Sequence, residues 1–206
     1  MEDPDDESSV FRRMNRLFDW LPLAAVVEDK ILCLHGGIGS AVKSIEDIAN
    51  IKRPLEVFHE VTTHEQQVVL DILWSDPTES DAETGIVPNT MRDPQGAGNI
   101  VKFGPDVVHE FLKKNDLSMI IRAHECVMDG FERFAGGALI TLFSATDYCK
   151  KHKNAGAILI VKTNLEIVPK LIYPSTSNAG NWIEDEDQLA RRPPTPPRWK
   201  NQAKNY

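Results

Sequence analysis

The sequence predicts a sheet-rich α/β or α+β domain, a β-sandwich flanked by helices. Two observations predict it: helical apolar patterns between short strands occupy residues 10–114, and apolar β runs separated by turn residues fill 118–173. The chain has 206 residues, of which 41% are hydrophobic and 26% charged. This size and composition fit one globular domain and exclude a fibrous or wholly disordered protein.

Four helices are predicted where apolar residues recur at helical spacing, namely at 10–20, 44–51, 65–74 and 106–114. Short strands are predicted where apolar runs lie between turn residues, at 24–27, 31–34, 118–121, 131–134, 138–143, 155–162 and 166–173. Residues 78–98 are rich in proline, glycine and acidic residues and predict a long loop. Loops of about 20 residues in compact domains are usually functional or disordered, so a functional role is expected for it.

Changes in composition divide the chain into three parts. Residues 1–9 form an acidic lead-in, residues 10–174 form the folded domain, and residues 175–206 are a proline-rich tail predicted to be disordered. No internal repeat is evident.

Charge and cysteine content exclude several classes of function. The formal net charge of -8 argues against a nucleic-acid binder that relies on its overall field. The chain contains no apolar run of the roughly 18 residues that a membrane span requires. Three cysteines without C-x-x-C spacing do not form a disulfide framework. The expected setting is therefore reducing, cytoplasmic and/or nuclear.

Two histidines each directly follow an apolar strand, His35 before two glycines and His124 after Arg122-Ala123. Imidazole nitrogen is a good ligand for divalent Mn, Fe and Zn, so the pair is a candidate metal site, although a buried, hydrogen-bonded histidine is the commoner role for either alone. Arg92 and Arg122 have the fork geometry that binds a phosphate, and surface ion pairing is the alternative. Tyr148 also follows a strand, where a packed tyrosine is the default.

Five sequence blocks bring these residues into one pattern, in order and at characteristic spacing: 34–38, 73–77, 122–125, 142–149 and 154–157. Together they resemble the second half of the catalytic domain of the PPP family of serine/threonine phosphatases. Residues 15–25 and 122–135 most resemble the plant and protist members that carry N-terminal Kelch repeats, the brassinosteroid-suppressor type. Residues 192–198 are similar to the tail of type 1 phosphatases.

The resemblance implies a metallophosphatase fold and hydrolysis of phosphoserine and phosphothreonine at a pair of divalent ions of the Mn, Fe or Zn class. It implies that His35 and His124 are metal ligands and that Arg92 binds the substrate phosphate. It also implies that Tyr148 lines the catalytic cleft. Trp74 and Asp76, within Trp74-Ser75-Asp76-Pro77, would shape a neighbouring groove.

The motifs of the first half of that family are absent, because Gly-Asp-x-His-Gly, Gly-Asp-x-x-Asp-Arg-Gly and Gly-Asn-His-Glu do not occur. Those motifs supply the other metal ligands. The chain is therefore expected to be a fragment or a truncated gene model, inactive alone. Asp147 also differs from the asparagine usual in the family, and the nearby lysines are expected to offset its charge.

The tail suggests two further roles. Arg191, Pro194 and Pro197 fit a polyproline ligand for SH3-type domains, and Thr195-Pro196 is a proline-directed kinase site. The resemblance to type 1 phosphatases implies that phosphorylation of Thr195 is inhibitory. The alternative function is a non-catalytic interaction module that acts through the sandwich face and this tail. Phosphoprotein substrates and regulatory subunits are the expected partners, with no nucleic acid and no membrane.

Overall fold

The computed structural model describes residues 8–55, 58, 60–94, 96 and 98–174. The helices are α1 Val10–Phe18, α2 Ile45–Ala49, α3 His64–Trp74 and α4 Pro105–Lys114. The strands are β1 Ala24–Val27, β2 Ile31–Leu34, β3 Asp76–Pro77, β4 Ile86–Pro88, β5 Val101–Phe103, β6 Met119–Arg122, β7 Phe131–Phe134, β8 Leu139–Leu142, β9 Gly156–Val161 and β10 Ile167–Ile172.

The largest sheet has five strands in the order β1-β2-β6-β8-β7. Its three inner strands run parallel, with Leu32 opposite Ile120 and Ile121 opposite Ile140, whereas β1 and β7 are antiparallel edges. The carboxyl ends of β2 and β6 therefore lie side by side at one edge of this sheet. Ligand sites of sheets with parallel strands commonly form at that edge.

Two smaller sheets complete the fold. Strands β3, β5 and β4 form a three-stranded sheet, with β5 in the middle, and β9 and β10 form an antiparallel pair. The main chain of Ala157 donates to the carbonyl of Phe143, which links β9 to the segment after β8. Mixed sheets with a few helices confirm the predicted fold class.

Helices α3 and α4 pack with the main sheet to form the core. Leu32, Ile120 and Leu139, from the three inner strands, are completely buried together with Ile72 of α3 and Val108 of α4. Successive residues of a strand point to opposite faces of the sheet, so each inner strand presents part of its apolar run to the helices. Because this core holds β2 and β6 in place, it also fixes the position of the residues that follow the carboxyl ends of these strands.

Local sequence explains where the helices begin. Ser44 and Thr63 each accept a hydrogen bond from the third residue of the following helix, and the Asp47 and Gln66 side chains bond back to them in capping boxes. Helix α4 starts at Pro105, which has no N–H to leave unpaired at this position. These signals account for the agreement with the predicted helix starts.

Three expectations need correction or qualification. The first helix ends at Phe18 and does not reach residue 20. Residues 78–98 are not loop throughout, because Ile86–Pro88 pairs with β5. The apolar stripe predicted for α1 exists, but Phe11 and Leu17 are more than half exposed.

Residues 1–7 of the acidic lead-in and the whole tail lie outside the described residues, whereas Ser9 caps α1. Within the described part of the chain, no helix has the length and apolarity needed to cross a membrane.

Candidate active site

The two candidate metal ligands meet at the carboxyl ends of adjacent parallel strands. His35 follows β2 and His124 lies two residues beyond β6. The Nε2 atom of His35 is 3.1 Å from the Nδ1 atom of His124, and the rings are edge to face with centroids 4.8 Å apart. The pairing of β2 with β6 thus brings together two residues that are 89 positions apart in sequence.

The backbone around the pair is constrained. His124 has a φ of 67°, in the left-handed region that non-glycine residues rarely adopt, and such conformations cluster at functional sites. The main chain of Ala123 donates to the carbonyl of His35 over 2.9 Å. The N–H of Gly36 donates to the carbonyl of Ile72 over 2.6 Å, so the turn after His35 rests on the end of α3. The Trp74 ring then packs edge-on against His124, with centroids 5.4 Å apart.

Arg122 forms hydrogen bonds with several chain segments around the two histidines. Its side chain is completely buried, and Nε donates to the Gly36 carbonyl over 2.6 Å. Nη2 donates to the Ser75 carbonyl and to Oδ1 of Asp76, and Nη1 donates to Oε2 of Glu125. Gly36 and Glu125 each directly follow one of the two histidines. One guanidinium therefore holds three chain segments, so neither a surface ion pair nor a phosphate-binding role fits Arg122.

Asp76 in turn anchors the second arginine. Asp76 is buried, and its carboxylate accepts from Arg122 through Oδ1. Oδ2 accepts from Nε of Arg92 over 3.1 Å and from Nδ2 of Asn89 over 2.9 Å. Nη2 of Arg92 also donates to the His124 carbonyl over 3.3 Å. Arg92 thus lies beside the histidine pair with 31% of its side chain exposed, in a position to meet an anion from solvent.

Burial and the two arginines set the charge state of the site. Burial, the Arg92 guanidinium and, more weakly, the Arg122 guanidinium lower the pKa of His124 to about 4, although Asp76 opposes them. Burial, then Arg122, also lowers the pKa of His35. Burial alone would raise the pKa of Asp76, but Arg122 and Arg92 together outweigh it and hold this pKa below its usual value. At neutral pH the imidazoles are uncharged and carry lone pairs, which is the form that binds metals.

The histidine pair fits one divalent cation. A separation of 3.1 Å between two nitrogens is close to that expected for neighbouring ligands with bonds of about 2.1 Å to one ion. The other ring nitrogen of His124, Nε2, is buried and has no hydrogen-bond partner among the described residues. Among those residues, no group of three or more His, Cys, Asp or Glu forms a complete metal site. The described residues thus account for two ligands.

The other predicted site residues are placed as follows. Trp74 is 43% exposed at the rim beside His124, whereas Asp76 is buried beneath it. Tyr148 is 45% exposed, and its ring packs edge-on against Phe143, with centroids 5.1 Å apart. It lies on the loop between β8 and β9. Thr195 lies outside the described residues. The catalytic role of Tyr148 and the regulatory role of Thr195 remain predictions.

Sequence reasoning missed the supporting network. Asn89, which is 1% exposed and binds Asp76, was not singled out, and Arg122 was assigned to the surface or to phosphate. One signal was available: Arg122 directly follows the apolar run 118–121, and an interior parallel strand is usually buried on both faces. No local pattern reveals that Asn89 pairs with a residue 13 positions earlier.

Comparison with known proteins shows the class of protein to which this fold and this pair of histidines belong. Residues 2–128 match the calcineurin-like phosphoesterase family, and the chain belongs to that family. The predicted resemblance to serine/threonine phosphatases is confirmed. The chain is 51% identical to serine/threonine-protein phosphatase BSL2 of Arabidopsis thaliana over 207 residues. This alignment covers 95% of the chain but 19% of the relative, so the chain spans about a fifth of that protein's length.

A solved structure supports the fold. A protein serine/threonine phosphatase from Saccharomyces cerevisiae, described as similar to human phosphatase PP5, superposes with a TM-score of 0.66 at 24% identity. The match covers 83% of the present chain and 54% of the yeast chain. Membership of the metallophosphatase family implies chemistry that depends on divalent metal ions.

Proposed function

We propose that this chain forms part of a protein phosphatase that hydrolyses phosphoserine and phosphothreonine with divalent metal ions. The observation that carries the proposal is the 3.1 Å approach of the His35 and His124 imidazoles beside Arg92. Uncharged imidazoles next to an anchored guanidinium suit a site that receives both a cation and a phosphate.

His35 and His124 are the proposed ligands of one cation, through Nε2 and Nδ1. When bound, divalent ions of the Mn, Fe or Zn class lower the pKa of water and neutralise charge on a phosphoryl group. The two histidines hold their rings in the required orientation because strand pairing and the contacts of Arg122 fix the backbone on both sides. The proposal assigns these two ligands only.

Arg92 is the proposed phosphate-binding residue. Asp76 and the His124 carbonyl hold its guanidinium through Nε and Nη2, so it presents its remaining N–H groups with little freedom to lose on binding. Tyr148 and Trp74, both exposed, are proposed to line the walls of the cleft that admits the phosphorylated side chain.

The proposed partners are phosphoproteins, with regulatory subunits or SH3-type domains at the arginine- and proline-rich residues 191–198. The proposed location is the cytoplasm and/or nucleus, which is consistent with the free thiols of Cys33, Cys126 and Cys149.

Phosphate release from a phosphothreonine peptide tests the proposal, measured with Mn²⁺ in the longest natural polypeptide that contains this chain. We expect metal-dependent turnover that falls by at least 100-fold in His124→Ala and in Arg92→Ala. The matched control is His109→Ala, an exposed histidine on α4, which should leave turnover unchanged. Turnover that survives His124→Ala would contradict the proposal, and a folded polypeptide without turnover would favour the non-catalytic module.

A further inference from the structure

The loop between β8 and β9 carries a concentrated positive charge on a chain that is negative overall. Lys150, Lys151, His152 and Lys153 are consecutive and all exposed. Asp147 is the one acidic residue of the segment 147–153, so with His152 neutral the three lysines leave this segment a formal charge of +2. The whole chain carries -8.

Hydrogen bonds within the loop fix its shape. The completely buried Asn154 accepts from the Tyr148 N–H through Oδ1 over 2.8 Å, and its carbonyl accepts from the Asp147 N–H over 3.0 Å. The N–H groups of Lys150 and Lys151 donate to the carbonyls of Asp147 and Tyr148. The lysine ammonium groups are therefore carried on an ordered backbone, which reduces the entropy cost of an encounter with a charged partner.

The loop adjoins the chain segment that follows His124. The N–H of Ala155 donates to the carbonyl of Met128 over 2.9 Å, and Asp129 forms a bridge with Ala155. Tyr148, proposed above to line the cleft, stacks on His152 with centroids 6.4 Å apart. The positive charge thus lies next to Tyr148, the residue proposed to line the cleft, and on a loop that contacts the segment following His124.

We propose that this loop, through Lys150 and Lys153 above all, selects phosphorylated segments whose neighbouring residues are acidic. The inference deepens the proposed phosphatase function and rests on it. Aspartate or glutamate beside the phosphorylated residue meets the local positive charge, whereas an uncharged segment gains nothing from it. Attraction between exposed charges at about one Debye length is modest, so an effect of about fivefold is expected.

A set of four peptides separates the loop from the phosphate site. Each carries either a phosphonate analogue of phosphothreonine, which resists hydrolysis, or plain threonine, flanked by either three aspartates or three asparagines. Affinities for the longest natural polypeptide that contains this chain, with Mn²⁺, are measured by fluorescence anisotropy at low salt. We expect the aspartate phosphonate peptide to bind about fivefold tighter than its asparagine counterpart, and less than twofold tighter in Lys150→Gln/Lys153→Gln. Lys113→Gln/Lys114→Gln removes the same charge from exposed positions on α4 and should retain the fivefold preference.

Equal loss of preference in the two double variants would overturn the inference, because it would assign the effect to overall charge. An aspartate preference that the loop variant leaves intact would overturn it as well. If the preference depends on Lys150 and Lys153 but the phosphonate adds nothing to affinity, the loop binds acidic segments as inferred, whereas the proposed phosphatase function fails and with it the selection of phosphorylated segments.

The chain's own acidic residues 184–187 are a second negatively charged segment that can compete with a substrate for the loop between β8 and β9. The variant Glu184→Gln/Asp185→Asn/Glu186→Gln/Asp187→Asn tests it. We expect the affinity of the aspartate phosphonate peptide to stay within twofold of wild type. A rise of fivefold or more that disappears when Lys150→Gln/Lys153→Gln is added would show that the tail competes for the loop, and would support the loop's preference for acidic segments. A rise that persists in the combined variant would place the acidic preference outside the loop and overturn the inference.

Discussion

Arg122 and Asp76 form a buried ion pair directly beneath the two histidines. Nη2 of Arg122 is 2.8 Å from Oδ1 of Asp76, and the two side chains are 0% and 4% exposed. The pair joins the end of β6 to β3, and through Gly36 and Glu125 it reaches the segments that carry both imidazoles. The orientation of the candidate metal ligands is therefore coupled to one buried guanidinium.

Replacing Arg122 by methionine should destabilise the fold strongly. The change leaves the Asp76 carboxylate buried without its main partner, and loss of one partner of a buried pair typically costs about 3–5 kcal/mol. Urea unfolding followed by circular dichroism measures the loss. Lys30→Met breaks the exposed pair with Asp116 and should cost less than about 1 kcal/mol. Equal effects in the two variants would show that the Arg122 network contributes no more than a surface ion pair.

Gly36→Ala should disturb the turn that carries His35. A Cβ at this position would lie 2.7 Å from the main-chain carbon of Leu73 and 2.8 Å from the nitrogen of Trp74, and backbone atoms cannot move aside as a side chain can. We expect a lower melting temperature and a shift of the His35 ring resonances. Gly136→Ala is the control, because its φ is 64° but nothing lies within 4 Å, so it should cost only about 1–2 kcal/mol. A Gly36→Ala protein that melts like the wild type would contradict the close approach.

The His124 ring should titrate far below the usual histidine pKa of 6.5, with a midpoint of about 4. Long-range ¹H–¹⁵N correlation spectra of the imidazole across pH 3.5–8 measure it. Since the unfolded chain binds this proton near pH 6.5 and the folded chain only near pH 4, His124 should favour unfolding increasingly as the pH falls between these values. His35, whose pKa is also lowered, should act in the same direction. A His124 midpoint at or above 6.5 would show that burial and Arg92 do not act on the ring as described.

Most of the fold could be predicted from periodicity, caps and turns. Ser44 and the apolar stripe of α3 mark helices through local hydrogen bonding and a 3.6-residue period, and the strands from β6 onward follow from apolar runs. Strands β3, β4 and β5 were not predicted, because each has only two or three residues and owes its conformation to pairing within the three-stranded sheet. Pairing between distant segments leaves no local signature.

Some residues of the candidate site could likewise be predicted from the sequence, and others could not. The histidines were found because each follows an apolar strand, and their neighbourhood was implied by family resemblance. The role of Arg122 was missed because it depends on carbonyls and carboxylates from three separate segments, such as Ser75 and Glu125. Only the folded chain brings those groups to one guanidinium.

The central claim is that His35 and His124 bind one cation together. Pulsed electron paramagnetic resonance of Mn²⁺ bound to the full chain tests it without reference to activity, because coupling to imidazole nitrogen counts the histidine ligands. We expect two coupled imidazoles in the wild type, one in His35→Ala and one in His124→Ala, with weaker Mn²⁺ binding in both variants. Bound Mn²⁺ that shows no imidazole coupling, or binding that neither substitution changes, would contradict it.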